Sequence, residues 1–258
     1  MSDAALVILF QVLTLLGSVF TVVKLYRTGL YSRYRMFFLL FLFQIPNTIW
    51  PLFINYNSRS YQYFWTLTEP ISWVLYVLVV LELYRLVLEK HRGLYSLGRW
   101  MMYVAIAVAV AISIASLLPR IKPTTPLYSR TLGYFFAVQR GLYFSLVLFI
   151  LLILVFLSRY PVHLSRNVLV HAALYSIYFL FGTLGVLLRT IFGNSIRDQV
   201  NLFLTGMSSI CVFAWFFLLT RKGEESQTNI PLFGPEQERR ALEQLEALNA
   251  TLLKVSRN

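Results

Sequence analysis

Residues 132–157 read LGYFFAVQRGLYFSLVLFILLILVFL, and Arg140 is the one charged residue among them. A membrane-spanning helix needs about 20 consecutive, mostly apolar residues, and this stretch exceeds that length. In the hydrocarbon core of a bilayer, backbone N–H and C=O groups must find partners within the protein, which favours a helix. The stretch therefore predicts a transmembrane helix that carries one cation within it.

Six further stretches have the same length and apolar character, and the gaps between them carry charged residues, Pro, Gly or Asn. The seven predicted spans are residues 4–25, 36–56, 65–88, 98–118, 132–157, 166–190 and 200–220. Only Asp3 is charged before the first span, which lacks the basic flank of a secretory signal peptide, so we expect a retained helix. The sequence predicts an all-α, seven-transmembrane helix bundle.

The composition excludes other classes of protein. The chain has 258 residues, of which 58% are hydrophobic and 13% charged, whereas soluble domains carry about 25% charged residues. This excludes a soluble enzyme and a disordered chain. The net charge is +12, but the basic residues sit at the ends of apolar runs rather than in a continuous stripe. We therefore expect anionic lipid headgroups as partners, and no nucleic acid.

Basic residues in short loops mark the cytoplasmic side of a membrane protein. Twelve Lys and Arg residues fall in loops on one side of the predicted bundle, beginning with Lys24 and Arg27, against five on the other side. The N-terminus is then outside and the C-terminus inside. With a lone cysteine, Cys211, and therefore no internal disulfide, this favours a bacterial inner membrane.

The last part of the chain differs in composition from the rest. Residues 1–220 form the predicted membrane domain, residues 221–235 a polar linker, and residues 236–258 a short cytoplasmic amphipathic helix. An apolar seam with 4-3-4-3 spacing runs along that helix. Its predicted partner-binding residues are Leu245, Leu248, Leu252 and Val255. The seam is too short for a firm coiled coil, so docking a partner, self-association and lying on the membrane all stay open.

Polar residues inside the spans are costly and often functional. On the predicted topology, one group lies in the outer half of the bundle and forms the predicted ligand-binding layer. Its members are Gln44, Asn47, Glu69, Gln139, Arg140 and Arg189, with Asn201 beside them. Arg140 lies about 7 Å from the middle of its helix at 1.5 Å per residue. It should face the interior, where it either pairs with Glu69 or holds an anionic ligand from outside.

A second group of polar residues lies in the inner half of the bundle. It consists of Glu82, Arg85 and His171. Glu82 and Arg85 are three residues apart on one helix face and are placed to pair with each other. For His171, a satisfied packing role is the simpler interpretation, beside a titrating or hydrogen-bonding role.

Two further patterns bear on helix packing. Ala105, Ala109 and Ser113 recur every four residues on one face of their helix, and Ala107, Ala111 and Ala115 do so on another. Small residues let helices approach closely. Such a face serves either internal packing or a homodimer. Pro46, Pro51 and Pro70 interrupt the outer parts of their helices and predict either an outward vestibule or simple bending.

The sequence predicts no catalytic residue, metal site or cofactor. No lysine falls in the middle of a span, as a retinal Schiff base requires, and His171 is the one histidine within a span. No HExxH motif or phosphate-binding loop is present. The lone cysteine cannot form a Cys-based metal site and is interpreted as a packing residue.

Four segments resemble a family of bacterial seven-helix integral membrane proteins. They are YFWTLTEPIS at 63–72, VLELYR at 80–85, VQRGL at 138–142 and LSRYPVHLSRNVLVHAAL at 157–174. That family has no established activity, so the resemblance implies a fold and assigns no site. The layout is also similar to the seven-transmembrane sensor modules of bacterial histidine kinases. Because the sequence ends at Asn258 without a kinase domain, we expect any output to pass through a partner or the tail helix.

These features favour a non-enzymatic membrane sensor or signalling adaptor. A ligand, lipid or partner would bind in the outer polar layer, and helix displacement would reach the cytoplasmic helix. The alternative is a structural or assembly subunit of a larger membrane complex, in which the small-residue and aromatic faces contact other subunits. A small-molecule transporter comes third, because the two halves show no inverted repeat.

Overall fold

The computed structural model describes residues 3–53, 59–88, 92–115, 127–159, 164–225 and 227–228, together with 243, 246 and 247. This part of the chain is helical, apart from a two-residue antiparallel pairing. The helices are α1 (Asp3–Thr28), α2 (Arg35–Phe53), α3 (Arg59–Val87), α4 (Arg92–Ala115), α5 (Leu127–Arg159), α6 (Arg166–Phe192), α7 (Arg197–Leu218) and α8 (Arg221–Glu225). Short 3-10 turns at Leu30–Ser32 and Gly193–Ile196 join α1 to α2 and α6 to α7.

Seven of the helices, α1 to α7, are long and apolar enough to cross a membrane. The predicted number of spans is therefore confirmed, and the chain is a multi-pass membrane protein. The helices extend past the apolar runs at several ends. Helix α5 begins at Leu127 and ends at Arg159, because a backbone already in helical register continues its hydrogen bonds into the polar flank.

Helices α1, α2 and α7 pack together in the first of two compact units, which comprises residues 1–80 and 177–221. Helices α1 and α7 run in the same direction, because their contacts advance together along both helices, from Thr14 and Ser209 to Gly17 and Val212. The hydroxyls of Thr14 and Ser209 lie 2.7 Å apart. A Cβ on Gly17 would lie 2.7 Å from a methyl group of Val212, so glycine allows this close approach.

Aromatic side chains fill the space between α2 and α7 towards one end of this unit. The ring of Trp215 lies 5.5 Å from that of Phe37 and 5.7 Å from that of Phe41. Tyr34 and Leu25 are buried beside the same helix ends. Edge-to-face ring pairs of this kind add packing energy beyond the area they bury. This end of the three helices is therefore closed by apolar contacts.

Helices α4 and α5 pack together in the second unit, residues 81–176 and 222–258. A Cβ on Gly141 would lie 2.8 Å from the carbonyl oxygen of Ala109, so the two backbones nearly touch. The face of Ala105, Ala109 and Ser113 therefore serves internal packing, one of the two roles predicted for it. The second alanine face of α4, with Ala107, Ala111 and Ala115, is exposed.

The described residues that follow the seventh span make contacts within the second unit. The predicted linker, residues 221–235, begins with the short helix α8, and Gln227–Thr228 then pairs with Leu164–Ser165 as an antiparallel ladder. The start of this segment therefore contains a short helix and a paired strand, and its role as a linker stays a prediction. Glu243, Glu246 and Ala247 are helical and exposed. The predicted seam of Leu245, Leu248, Leu252 and Val255 lies outside the described residues.

Candidate ligand-binding cavity

A cavity of about 250 Å³ lies among helices α1, α2 and α7 in the first unit. Helix α1 contributes Gln11 and Thr14, α2 contributes Gln44, Asn47, Thr48 and Pro51, and α7 contributes Leu204, Thr205 and Ser208. Seven of these nine side chains are amides or hydroxyls. Such groups are costly within a membrane unless they are used, so the cavity is the strongest candidate site in the described part of the chain.

Only part of this lining was predicted from the sequence. Gln44 and Asn47 belong to the predicted outer layer, and the structure places both at the cavity. The other polar residues of the lining were missed, namely Gln11, Thr14, Thr48, Thr205 and Ser208. Four of them carry neutral hydroxyls, which are common in membrane helices, whereas the amide of Gln11 was overlooked. A usable signal existed in their spacing. Polar residues recur at three- and four-residue intervals within each of the three helices, so each set shares one face.

A hydroxyl cluster joins α1 to α7 beside the cavity. The hydroxyls of Thr14 and Ser209 are 2.7 Å apart, and each lies 2.8 Å from the carbonyl oxygen of Phe10. Both side chains are at least 95% buried. Each hydroxyl oxygen here has a partner, as buried polar groups in a membrane require. The cluster holds the two helices in one register at the depth of the cavity.

Two threonines at the cavity direct their hydroxyl protons back into their own helices. Thr48 donates to the carbonyl of Gln44 at 2.9 Å, and Thr205 donates to the carbonyl of Asn201 at 2.8 Å. A hydroxyl that donates in this way keeps its oxygen lone pairs for another donor. Thr48 and Thr205 therefore offer acceptors to the cavity.

Proline 51 adds a backbone acceptor to the same region. In a helix, the N–H of residue 51 would bond to the carbonyl of residue 47, but proline has no N–H. Asn47 and Pro51 both line the cavity within α2. The proline was predicted to open a vestibule or bend the helix; its place at the cavity agrees with the first interpretation.

Two further predicted ligand-binding residues, Arg189 and Glu69, have polar partners elsewhere in the first unit. The Arg189 guanidinium donates to the side-chain oxygen of Asn201, which brings together two residues of the predicted layer. Asn201 precedes the cavity residue Thr205 by one helical turn. On α3, the indole N–H of Trp73 donates to the Glu69 carboxyl at 3.1 Å. Neither Arg189 nor Glu69 is among the lining residues.

Arg140 is held in the second unit by a residue of the neighbouring helix α4. Its Nε donates to the Ser113 hydroxyl at 3.0 Å, and its Nη2 donates to the Ser113 carbonyl at 3.3 Å. Gln139 donates to the Tyr143 hydroxyl at 3.3 Å. Arg140 thus binds α5 to α4. Its predicted pairing with Glu69, which belongs to the first unit, stays a prediction.

The predicted inner group divides by burial. His171 is fully buried and stacks on Tyr175 with 6.3 Å between ring centres, which agrees with a packing role. Glu82 is buried, whereas Arg85, one turn further on, is exposed. The predicted Glu82–Arg85 pair therefore joins side chains in different environments, and the pairing stays a prediction.

A polar contact that was not predicted from the sequence joins the segment after α7 to α6. Asn167, one turn before His171, is fully buried, and its amide donates to the Glu224 carboxyl at 3.1 Å. Glu224 lies on α8, immediately before the Gln227–Thr228 ladder. Two separate contacts therefore hold residues 221–225 and 227–228 against the start of α6.

Replacing Glu224 should loosen this segment. We expect Glu224→Leu to raise amide hydrogen exchange across residues 221–228 by about tenfold, since a hydrogen bond to a charged group contributes about 1.5–3 kcal/mol. Glu224→Gln keeps an acceptor oxygen and should lie between Glu224→Leu and the unchanged protein. Exchange measured by mass spectrometry on the protein in nanodiscs checks this. Equal exchange in all three proteins would show that the contact does not hold the segment.

Metal-ligating side chains do not cluster in the described part of the chain: no three His, Cys, Asp or Glu residues come together there. Cys211 is buried and not in a disulfide. The cavity itself is lined mainly by neutral hydrogen-bonding groups.

Comparison with known proteins leaves this chain without a matching family. The resemblance to bacterial seven-helix membrane proteins and to kinase sensor modules stays an expectation from sequence. No protein-family model, no curated protein and no solved structure matches the chain.

Proposed function

We propose that this protein is a non-enzymatic membrane sensor or signalling adaptor, which binds a small ligand in the cavity among α1, α2 and α7. The single observation that carries the proposal is the concentration of seven neutral polar side chains around one cavity. Polar groups within spans are expected to serve a function. The proposal includes the orientation from the distribution of basic residues, with the N-terminus outside and the cavity in the outer half of a bacterial inner membrane.

The closed end of the same three helices supports a receptor over a transporter. Phe37 and Phe41, near the start of α2, pack against each other and against Trp215, near the end of α7. On the proposed orientation, this aromatic cluster lies on the cytoplasmic side of the cavity. A ligand that enters from outside would meet a packed floor, as a receptor requires.

Chain continuity gives the proposal an output. Helix α7 contributes Thr205 and Ser208 to the cavity, continues through Trp215, and is followed within two residues by α8, which carries Glu224. A helix transmits displacement along its axis because its backbone is stiff. Ligand binding that favours one position of α7 would therefore shift the population of states at the start of the cytoplasmic segment.

Native mass spectrometry of the protein, released gently from its own membrane, tests the proposal. We expect a discrete additional mass on the unchanged protein that is lost in Thr205→Val and retained in Thr183→Val. Thr183 matches Thr205 because it is also half-buried and also donates its hydroxyl to a carbonyl one turn earlier, at 2.8 Å, yet it lies away from the cavity. Arg140→Ala should retain the mass as well.

Other outcomes would replace the proposal. Loss of the mass in Arg140→Ala alone would move the ligand to the site predicted around that residue. A complex with other polypeptides at a fixed ratio, without any small bound mass and unchanged by the variants, would make the protein a structural or assembly subunit. Solute flux in proteoliposomes that Thr205→Val alters would make it a transporter.

A further inference from the structure

We infer that the cavity selects a small, uncharged molecule rich in hydroxyl groups, such as a polyol or a monosaccharide unit. This inference rests on the proposed binding function and specifies the chemistry of its ligand. It follows from three properties of the lining, namely its charge, its pattern of donors and acceptors, and its size.

The charge of the lining excludes an ion as the preferred ligand. None of the described residues that line the cavity is Asp, Glu, Lys, Arg or His. An opposite charge offsets the desolvation of a charged ligand better than hydrogen bonds from neutral groups do, so a lining without charge favours an uncharged ligand. Arg189 is near this region, but its guanidinium donates to Asn201. An uncharged ligand avoids this penalty.

The donors and acceptors of the lining match hydroxyl groups. Thr48 and Thr205 present acceptor oxygens, since their protons are donated to backbone carbonyls. The amides of Gln44 and Asn47 bring both donors and acceptors, and Pro51 leaves the Asn47 carbonyl without its helical donor. A hydroxyl group donates one proton and accepts through its oxygen, so adjacent hydroxyls on a ligand can satisfy such a mixed surface.

The size of the cavity limits the ligand. Its volume of about 250 Å³ falls just below the roughly 300–1,000 Å³ of pockets for drug-sized ligands. A six-carbon polyol or one sugar ring is of suitable size, whereas a disaccharide or a nucleotide is too large. The hydroxyl cluster of Thr14 and Ser209 and the close contact at Gly17 hold α1 and α7 together, so these two walls of the cavity are fixed relative to each other.

The neutral probes are glycerol, myo-inositol and glucose. They are compared with one anionic and one cationic molecule, glycerol 3-phosphate and choline. Binding is measured by calorimetry on the full chain in phosphatidylcholine nanodiscs. We expect the neutral probes to bind and the charged ones to bind at least tenfold more weakly. Thr205→Val and Gln44→Leu should each weaken binding about tenfold, the factor that corresponds to one lost hydrogen bond with its desolvated partner. Thr183→Val should bind like the unchanged protein.

A second experiment distinguishes two sources of the hydroxyl-rich ligand. The same headgroup could be free in solution or carried by a glycolipid. Nanodiscs that contain glucosyl diacylglycerol in place of part of the phosphatidylcholine test this difference. Competition between the glycolipid and free glucose, lost in Gln44→Leu, would assign the cavity to a lipid headgroup; binding of free glucose without such competition would assign it to a soluble molecule.

Three results would overturn the inference. The first is tighter binding of glycerol 3-phosphate or choline than of the neutral probes. The second is binding that Thr205→Val and Gln44→Leu leave unchanged. The third is no binding by any probe in a folded protein, which would indicate a cavity occupied by water alone. If one variant fails to fold, the other and the charged probes still decide the question.

The failure of this inference is distinguishable from that of the proposed function. A bound native mass that is charged, and is lost in Thr205→Val, would keep the sensor proposal and reject the hydroxyl-rich ligand. Neutral probes that bind without changing hydrogen exchange at residues 221–228 would keep the ligand class and count against signalling through that segment.

Discussion

Cysteines placed at residues 32 and 195 should react with a membrane-impermeant maleimide from opposite sides of the membrane. Both replace an exposed serine in a 3-10 turn, and both serines bond to a carbonyl three residues earlier, at 2.9 Å and 2.7 Å. The two sites are therefore matched in exposure and local structure. Cys211 is buried and is replaced by alanine in the background protein.

The expected result follows from counting helices. Five spans, α2 to α6, separate Ser32 from Ser195, and an odd number of crossings puts the two turns on opposite sides. The basic residues Lys24, Arg27 and Arg33 surround the first turn, which predicts that it lies on the cytoplasmic side. In intact spheroplasts we expect near-complete labelling of Ser195→Cys and almost none of Ser32→Cys. Inside-out vesicles should show the reverse.

One outcome would contradict the number of membrane crossings, and another would contradict the orientation. Labelling of both cysteines from one side would mean that the five helices do not all cross the membrane. Labelling from opposite sides in the reversed sense would keep the fold and reject the orientation, which would move the cavity to the cytoplasmic half. Lysis before labelling is the control, because both cysteines should then react equally.

The alanine variant of Gly141 should be markedly less stable than the unchanged protein, whereas that of Gly206 should not be. A Cβ at residue 141 would lie 2.8 Å from the carbonyl oxygen of Ala109 and 2.9 Å from the Cα of Val110. These are backbone atoms, which cannot rotate away, so α4 and α5 must separate. At residue 206, the nearest atom would be a ring carbon of Phe10 at 3.5 Å, an ordinary contact.

Overpacking of this kind costs about 1–3 kcal/mol, and separation of the helices also disturbs the bonds from Arg140 to Ser113. Alanine in a helix interior otherwise gains up to about 1 kcal/mol over glycine, so Gly206→Ala should match or slightly exceed the unchanged protein. Unfolding in mixed micelles with increasing dodecyl sulfate, followed by tryptophan fluorescence, measures the difference. Equal transition midpoints for the two variants would show that α4 and α5 are not in close contact.

Prediction from sequence succeeded for features that depend on a single helix and its surroundings. The apolar run around Arg140 indicates a helix because no other backbone arrangement satisfies its N–H and C=O groups in lipid. The small residues Ala105, Ala109 and Ser113 likewise indicated a close-packed face from their spacing. Which helix packs on that face was not predicted, since the spacing describes one partner of the contact and not the other.

The candidate site shows the same limit more sharply. Gln44 and Asn47 were recognised because amides are unusual in a span, although Gln11, which also carries an amide, was not. The hydroxyl residues of the lining were missed, since a hydroxyl can bond to its own helix. Arg140 and Glu69 drew attention as charged groups, and their partners include the Ser113 hydroxyl and carbonyl for Arg140 and the Trp73 indole N–H for Glu69. Charge indicated the cost of burial and not the group that would offset it.

The seven membrane helices of this chain follow from its apolar runs, because a bilayer imposes the same length and the same backbone bonding on every span. The cavity does not follow from those runs. It requires polar faces of α1, α2 and α7, far apart in sequence, to meet at one depth, and that meeting depends on the contact at Gly17 and the hydroxyls of Thr14 and Ser209. Packing between helices, rather than the hydropathy of any one of them, places neutral polar groups around a shared space.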